Sequence, residues 1–238
     1  MARDLQARGH RVVSVDSRGR GRSDWAKDWS TYHPIVEAED AIAVTDALGL
    51  DHYAVIGTSR GGIRAMVMSA MRPGQMTRVV LNDIGPIIEA KGLARIKTYL
   101  GQTLAPADWD DATRIVRQAG AGTFPTRSAA EWREVAEATF RETKTGLAPD
   151  FDPKLLNTLT DMDLSRPVPS LWPPFSGLAR KPVLAIRGAL SDLLSADTLR
   201  AMERAHPRLK ALTVPEVGHA PSLDEPTARS AIAGFLAR

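Results

Sequence analysis

The 238-residue sequence predicts an α/β fold built on a mostly parallel sheet. Three observations carry that expectation. Short apolar runs rich in β-branched residues alternate with stretches of helical periodicity. Glycine, proline and aspartate punctuate the switches between them. The alternation pauses after residue 86 and resumes near residue 179, so the long stretch between is expected to be carried on one sheet rather than to open a separate tandem unit.

Taken in order, residues 11–16 (RVVSVD) read as a buried strand running into the turn-rich SRGRGRSD. Residues 36–48 carry apolar side chains at helical spacing and close at Gly49, a C-cap glycine. HYAVIG, at 52–57, is the next strand, and residues 60–71 form a helix stopped by Pro73-Gly74. RVVLND (78–83), PVLAIRG (182–188) and LKALTVP (209–215) are the third, fourth and fifth strands, with helices at 196–205 and 226–237. The expected division is a first core part at 1–86, a helical insert at 87–178 and a second core part at 179–238. The insert shows helical periodicity and Trp109, Trp132 and Trp172, but no convincing buried strand; SRPVPSLWPPF, at 165–175, is its return crossing.

Composition narrows the function classes. The net charge is only +3, weak support for a nucleic-acid partner, and the RGRGR run at 18–22 lies in the turn-rich SRGRGRSD. There is no cysteine, which excludes disulfides, thiolate metal sites and cysteine nucleophiles. No apolar run has the length of a membrane span, and the N-terminal residues lack the apolar core of a signal peptide, so a cytoplasmic location is the default expectation. The oligomeric state stays open, a homo-oligomer included.

The chemistry points to VIGTSRGG, at 55–62. In Gly57-Thr58-Ser59-Arg60-Gly61 a strand turns so sharply into a helix that side chains two residues either side of the serine would collide. That turn lifts the hydroxyl above the strand ends and aims the helix N-terminus at the same point. A serine hydroxyl needs a base, and the base needs an orienting carboxylate. Of five histidines, His10 precedes a strand, His33 lies in a loop, His52 starts a strand and His206 ends a helix. His219 differs: it sits in the turn Val217-Gly218-His219-Ala220-Pro221 after the last strand, and loops after parallel strands gather at one edge. Asp192, after PVLAIRG, is the expected acid; Asp83, closing RVVLND, is the rival on the same edge, with binding of backbone N–H groups at the start of the insert as its alternative role.

With these residues in hand, the chain resembles the α/β-hydrolase superfamily, specifically cap-bearing serine hydrolases related to esterases and lactonases. VSVDSRGRGRSDW is similar to the family's D-x-R-G-x-G-x-S segment, VIGTSRGG to its nucleophile elbow, VVLNDIGP to its sixth strand and exit, and IRGALSDLLS and VPEVGHAPSLDEP to its acid and histidine loops. The resemblance implies helices on both faces of the sheet, an insert acting as a cap, and an acyl-enzyme mechanism on a carboxylic ester or lactone. Ser59 would be the nucleophile, His219 the base and Asp192 the acid, and the Arg60 backbone N–H would serve the oxyanion hole. The Arg60 guanidinium would pack or pair within the core, contact with an acidic substrate group being its alternative. A serine at this position argues against the dehalogenases and epoxide hydrolases, which use aspartate there. No metal or organic cofactor is implied, and the implied partner is a small-molecule substrate, with neither nucleic acid nor membrane. C–C bond hydrolysis, thioester cleavage and cofactor-free perhydrolysis use the same triad.

The resemblance begins late. Family members start with about three strands before the helix matched by MARDLQARG, and no H-G pair, the family's source of a second oxyanion N–H, precedes Arg11. The expectation is therefore a sheet without the usual N-terminal strands, in a chain that is a fragment or has its start assigned at an internal methionine. A chain complete as given would instead hydrolyse weakly, since one lost oxyanion donor can cost about 10²–10³ in kcat, or act as a non-catalytic binding remnant.

Overall fold

The structure is a computed structural model that describes residues 1–100, 105–160, 162–164, 166 and 168–237. Four strands form one parallel sheet in the order β1-β2-β5-β6: β1 (Tyr53–Thr58), β2 (Met76–Asn82), β5 (Val183–Gly188) and β6 (Leu209–Val214). The pleat sorts their side chains onto two cores. Val79, Leu81, Val183 and Ala185 face Ala38 and Ile42 of α2 (Pro34–Ala47), Ala65 and Met66 of α3 (Arg60–Met71), and Leu199 and Met202 of α9 (Ala196–Ala205). Val80, Leu184 and Ile186 face the other way, onto Leu5 of α1 (Ala2–Ala7) and Ala228, Ile232 and Phe235 of α10 (Pro226–Leu236). Helices thus cover both faces, as a sheet buried on both sides requires.

Between β2 and β5 the chain leaves the sheet. It forms α4 (Ala90–Leu100), α5 (Trp109–Gly120), α6 (Ala129–Thr139), a hairpin of β3 (Phe140–Thr143) and β4 (Gly146–Pro149), and the short helices α7 (Asn157–Thr160) and α8 (Trp172–Ser176). This insert has its own small core of Ala112, Val116, Trp132, Ala136, Phe140 and Leu147. Ser128 and Glu131 close a capping box that starts α6. The hairpin adds two short strands to an insert expected to be helical. Each of its four-residue strands buries a single side chain, Phe140 or Leu147, so they lack the apolar run by which a buried strand is recognised. Of the expected return crossing, Ser165 and Pro167 lie outside the described residues, while Trp172 packs edge-on against Phe175, ring centroids 5.5 Å apart.

A correction concerns residues 11–16. Their pattern is that of a strand, but among the described residues no ladder hydrogen bond joins them to a neighbour. Val12, Val13 and Val15 are 36%, 43% and 48% exposed. An open groove of about 1230 Å³ separates this segment from the outer edge of β1, where the resemblance would put another strand. β-branched residues favour a strand only when a ladder is there to receive them.

Candidate active site

The strand–helix turn at Ser59 is as tight as its glycines suggest. Ser59 has φ +50° and ψ −116°, between the end of β1 and the first residue of α3. A Cβ on Gly57 would stand 2.4 Å from the Gly61 carbonyl oxygen, and one on Gly62 would stand 2.3 Å from Ile84 Cγ2. Gly61, by contrast, would meet only Arg64 Nη2 at 3.5 Å. The close approach after the serine therefore falls on Gly62, one residue later than the motif spacing implies. The Ser59 N–H is spent on the Asn82 carbonyl at 2.9 Å. The Arg60 N–H, first in the helix, has no acceptor among the described residues, as the first donors of a helix must lack one within it.

His219 arrives from the loop after β6 and lies against Ser59. Its Nε2 is 2.9 Å from Ser59 Oγ, and its side chain is 8% exposed. The group on its other ring nitrogen is Asp83: Nδ1 to Oδ2 is 2.8 Å, and Asp83 is fully buried. The expectation for Asp192 is corrected here. Its carboxylate takes both oxygens to Arg95, at 2.6 and 2.9 Å, and that guanidinium holds the Asp192 pKa below the ordinary carboxylate range. Asp83, at φ +55°, projects from the end of β2 across the end of β5. Its Oδ1 accepts the Gly188 N–H at 2.9 Å, and its Oδ2 also accepts the Ser191 hydroxyl at 2.6 Å. These bonds orient a buried carboxylate that would otherwise cost several kcal/mol to desolvate. The backbone N–H role expected of Asp83 is thus real, but it is met at β5 rather than at the start of the insert.

Two residues at the site carry no motif and went unread. Ser191 Oγ accepts the Leu193 and Leu194 N–H groups, at 3.2 and 3.1 Å, while donating to Asp83. Asn82 Nδ2 donates to Thr58 Oγ1 at 3.0 Å and to the Pro221 carbonyl at 2.8 Å, tying the ends of β1 and β2 to the histidine loop. A polar Asn-Asp pair closing an apolar strand was the available signal.

The other candidates fall elsewhere. The Arg60 Nε donates to both oxygens of buried Glu37 at 2.9 Å, and Nη2 to the Tyr32 carbonyl at 2.6 Å, so the half-buried guanidinium is turned inward onto Glu37. His206 is buried with Nε2 2.8 Å from the Leu178 carbonyl, and His33 caps α2 through the Ile35 N–H. Trp132 is buried in the insert core and Trp109 packs beside it. Among the described residues no cluster of three acidic or histidine side chains could hold a metal ion, and no helix is long and apolar enough to cross a membrane.

A parallel sheet wrapped on both faces, with a strained turn, a histidine and a buried carboxylate meeting at its carboxyl edge, places the chain among α/β enzymes that work beyond their strand ends. The chain belongs to the alpha/beta hydrolase fold family, whose model matches residues 1–226. It is 30% identical over 224 residues to a 3-hydroxybutyrate-oligomer hydrolase of Cupriavidus necator, covering 91% of this chain and 76% of that protein. It is 28% identical to a 2-(acetamidomethylene)succinate hydrolase of Mesorhizobium japonicum, covering 87% and 71%. A crystal structure of an alpha/beta hydrolase from Novosphingobium aromaticivorans superposes with a TM-score of 0.88 at 35% identity, covering 99% of this chain and 85% of that one. Both of these named relatives are hydrolases, and this chain is an alpha/beta hydrolase enzyme of the same family.

Proposed function

We propose that the chain is a serine hydrolase that cleaves a carboxylic ester or lactone of a small to medium acyl compound. The observation that carries this reading is the unbroken relay Ser59 Oγ, His219 Nε2, His219 Nδ1, Asp83 Oδ2, with steps of 2.9 and 2.8 Å. In this relay His219 takes the Ser59 proton as the oxygen attacks the carbonyl. It returns that proton to the leaving alcohol, and water then releases the acyl group by the same route. Asp83, rather than Asp192, fixes the ring and stabilises its protonated form. The Arg60 N–H points its free hydrogen at the developing oxyanion. The insert covers the site and limits substrate size. The similarity to hydrolases named for 3-hydroxybutyrate oligomers and for 2-(acetamidomethylene)succinate supports hydrolysis of small carboxylic compounds.

A fluorophosphonate probe tests the nucleophile. It should label folded wild-type protein at Ser59 and leave Ser59→Ala unlabelled; an unlabelled wild type would make the chain a binding remnant. A panel of p-nitrophenyl esters, lactones, thioesters, C–C cleavage substrates and peracid formation then tests the bond. Turnover of esters or lactones is expected, with Ser59→Ala losing about 10⁴-fold or more in kcat. Turnover confined to another substrate class would replace the ester reading.

A further inference from the structure

Between the insert and the turn at 16–21 lies an open cavity of about 490 Å³, within the range of small-molecule sites. Three arginines line it: Arg20 from the turn before α2, Arg95 from α4 and Arg127 from the turn before α6. Arg95 is already matched by Asp192. The other two guanidiniums are not matched: among the described residues neither Arg20 nor Arg127 makes a side-chain hydrogen bond or an ion pair. Arg127 is instead laid on aromatic rings, 4.0 Å from the Phe124 centroid and 4.8 Å from that of Trp132. Arg20 is fixed through its backbone. Its turn is pinned to the insert by the Arg20–Phe151 bridge, by Gly21 N–H to the Asp150 carbonyl at 3.0 Å, and by Asp152 N–H to the Gly19 carbonyl at 2.7 Å.

Two aspartates also line the cavity: Asp150 faces Arg141 at 3.6 Å, and Asp16, which accepts the uncharged Arg22 backbone N–H at 3.1 Å, keeps its charge. Against the three arginines they leave the lining a surplus of one positive charge. Burial pushes the pKa of half-buried Arg127 below the usual guanidinium value, while the carboxylates of Glu131 and Glu225 act the other way. Such a group gains most from an anion that takes its free N–H donors. The cavity adjoins the histidine loop through the insert. Phe124 follows Thr123, whose Cγ2 would stand 1.7 Å from a Cβ on Gly218, the residue before His219.

We propose that this cavity receives a carboxylate on the acyl part of the substrate, with Arg20 and Arg127 as the receiving groups. The preferred substrates are then esters of carboxylate-ended acids rather than of neutral fatty acids. The proposal rests on the serine-hydrolase reading for its reaction, but not for its binding. Arginine suits the task because its planar donors match a carboxylate two at a time, and stacking on Phe124 and Trp132 sets the plane of Arg127 in advance.

The test compares mono-4-nitrophenyl glutarate with 4-nitrophenyl pentanoate, which has the same number of acyl carbons. Wild type should favour the glutarate in kcat/KM by about tenfold or more, through KM. Arg20→Gln and Arg127→Gln should each bring that ratio toward unity, and the lysine variants should restore part of it. Equal use of the two esters by wild type, or an equal loss on both in the variants, would overturn the proposal. Calorimetry with glutarate alone separates the two readings. Glutarate binding that Arg127→Gln weakens, in a protein that cleaves neither ester, would sink the hydrolase reading and leave the carboxylate site standing. Ester cleavage without preference and without glutarate binding would do the reverse.

Discussion

β2 and β5 are buried along most of their length, whereas β1 is half-exposed and the segment beside its outer edge carries three exposed valines. The contrast matters because the relay draws from both flanks. Asp83 and His219 belong to the packed one: a Cβ on Gly188 would stand 2.5 Å from both the Val217 and Gly218 carbonyl oxygens, so the end of β5 and the histidine loop fit without slack. Ser59 belongs to the open one. It is held from its inner side, by the Thr58–Asn82 register, its own N–H on the Asn82 carbonyl and the Asn82 side chain. A nucleophile can be placed by one well-paired strand edge, provided the turn that carries it is itself over-determined by close contacts.

Four measurements break or sharpen this contrast. The largest effect is expected from the buried carboxylate. Asp83→Asn should lower kcat by about 10³–10⁴ with the fold intact, because the amide favours the wrong histidine tautomer. Asp192→Asn should cost no more than about tenfold, since that carboxylate serves Arg95; reversed magnitudes would move the acid back to Asp192. Next, Gly188→Ala on the packed flank should destabilise by about 3 kcal/mol in a denaturant titration, because two backbone carbonyls must move. A loss below about 1 kcal/mol would show that the flank yields more easily than its contacts suggest.

A smaller effect belongs to the partly exposed Arg95–Asp192 pair, worth about 1 kcal/mol at neutral pH. Its sign follows from the lowered Asp192 pKa. The contribution is complete above the unfolded value near 4 and is lost as pH falls through the lower folded value. The stability gap between wild type and Asp192→Asn should therefore hold down to about pH 4 and close below it; a gap that widens in acid would contradict the pairing. Smallest of all, Val13→Thr on the open flank should shift stability by less than about 0.5 kcal/mol. A larger loss would mean that this segment is covered in solution.

Much of this was legible in the sequence where a signal is local. The helix at 60–71 and that at 196–205 start and stop where their glycine, proline and capping residues say they should. Ser59 was legible because its turn demands glycine close by, and His219 because Gly218 and Pro221 mark a tight loop past the last strand. The acid was not. Asp83 and Asp192 both follow strands on the same edge, and nothing local tells which of them reaches the ring. The strand expected at 11–16 failed for a related reason: alternating valines describe one side of a pairing and say nothing about the other.

By itself, then, the sequence determined the alternation of strand and helix, the two faces of β2 and β5, the strained serine turn and the histidine loop, because period, turn chemistry and steric exclusion act over a few residues. Only the tertiary structure decided what depends on distance across the chain. It gave Asp83 to His219 and Asp192 to Arg95, turned the Arg60 guanidinium inward to Glu37, and left Arg20 and Arg127 lining a cavity without a side-chain hydrogen bond or ion pair among the described residues. Partner choice among like groups is settled by which side chains the packed fold brings within hydrogen-bond reach, and that is a property of the assembled core rather than of any short stretch of residues.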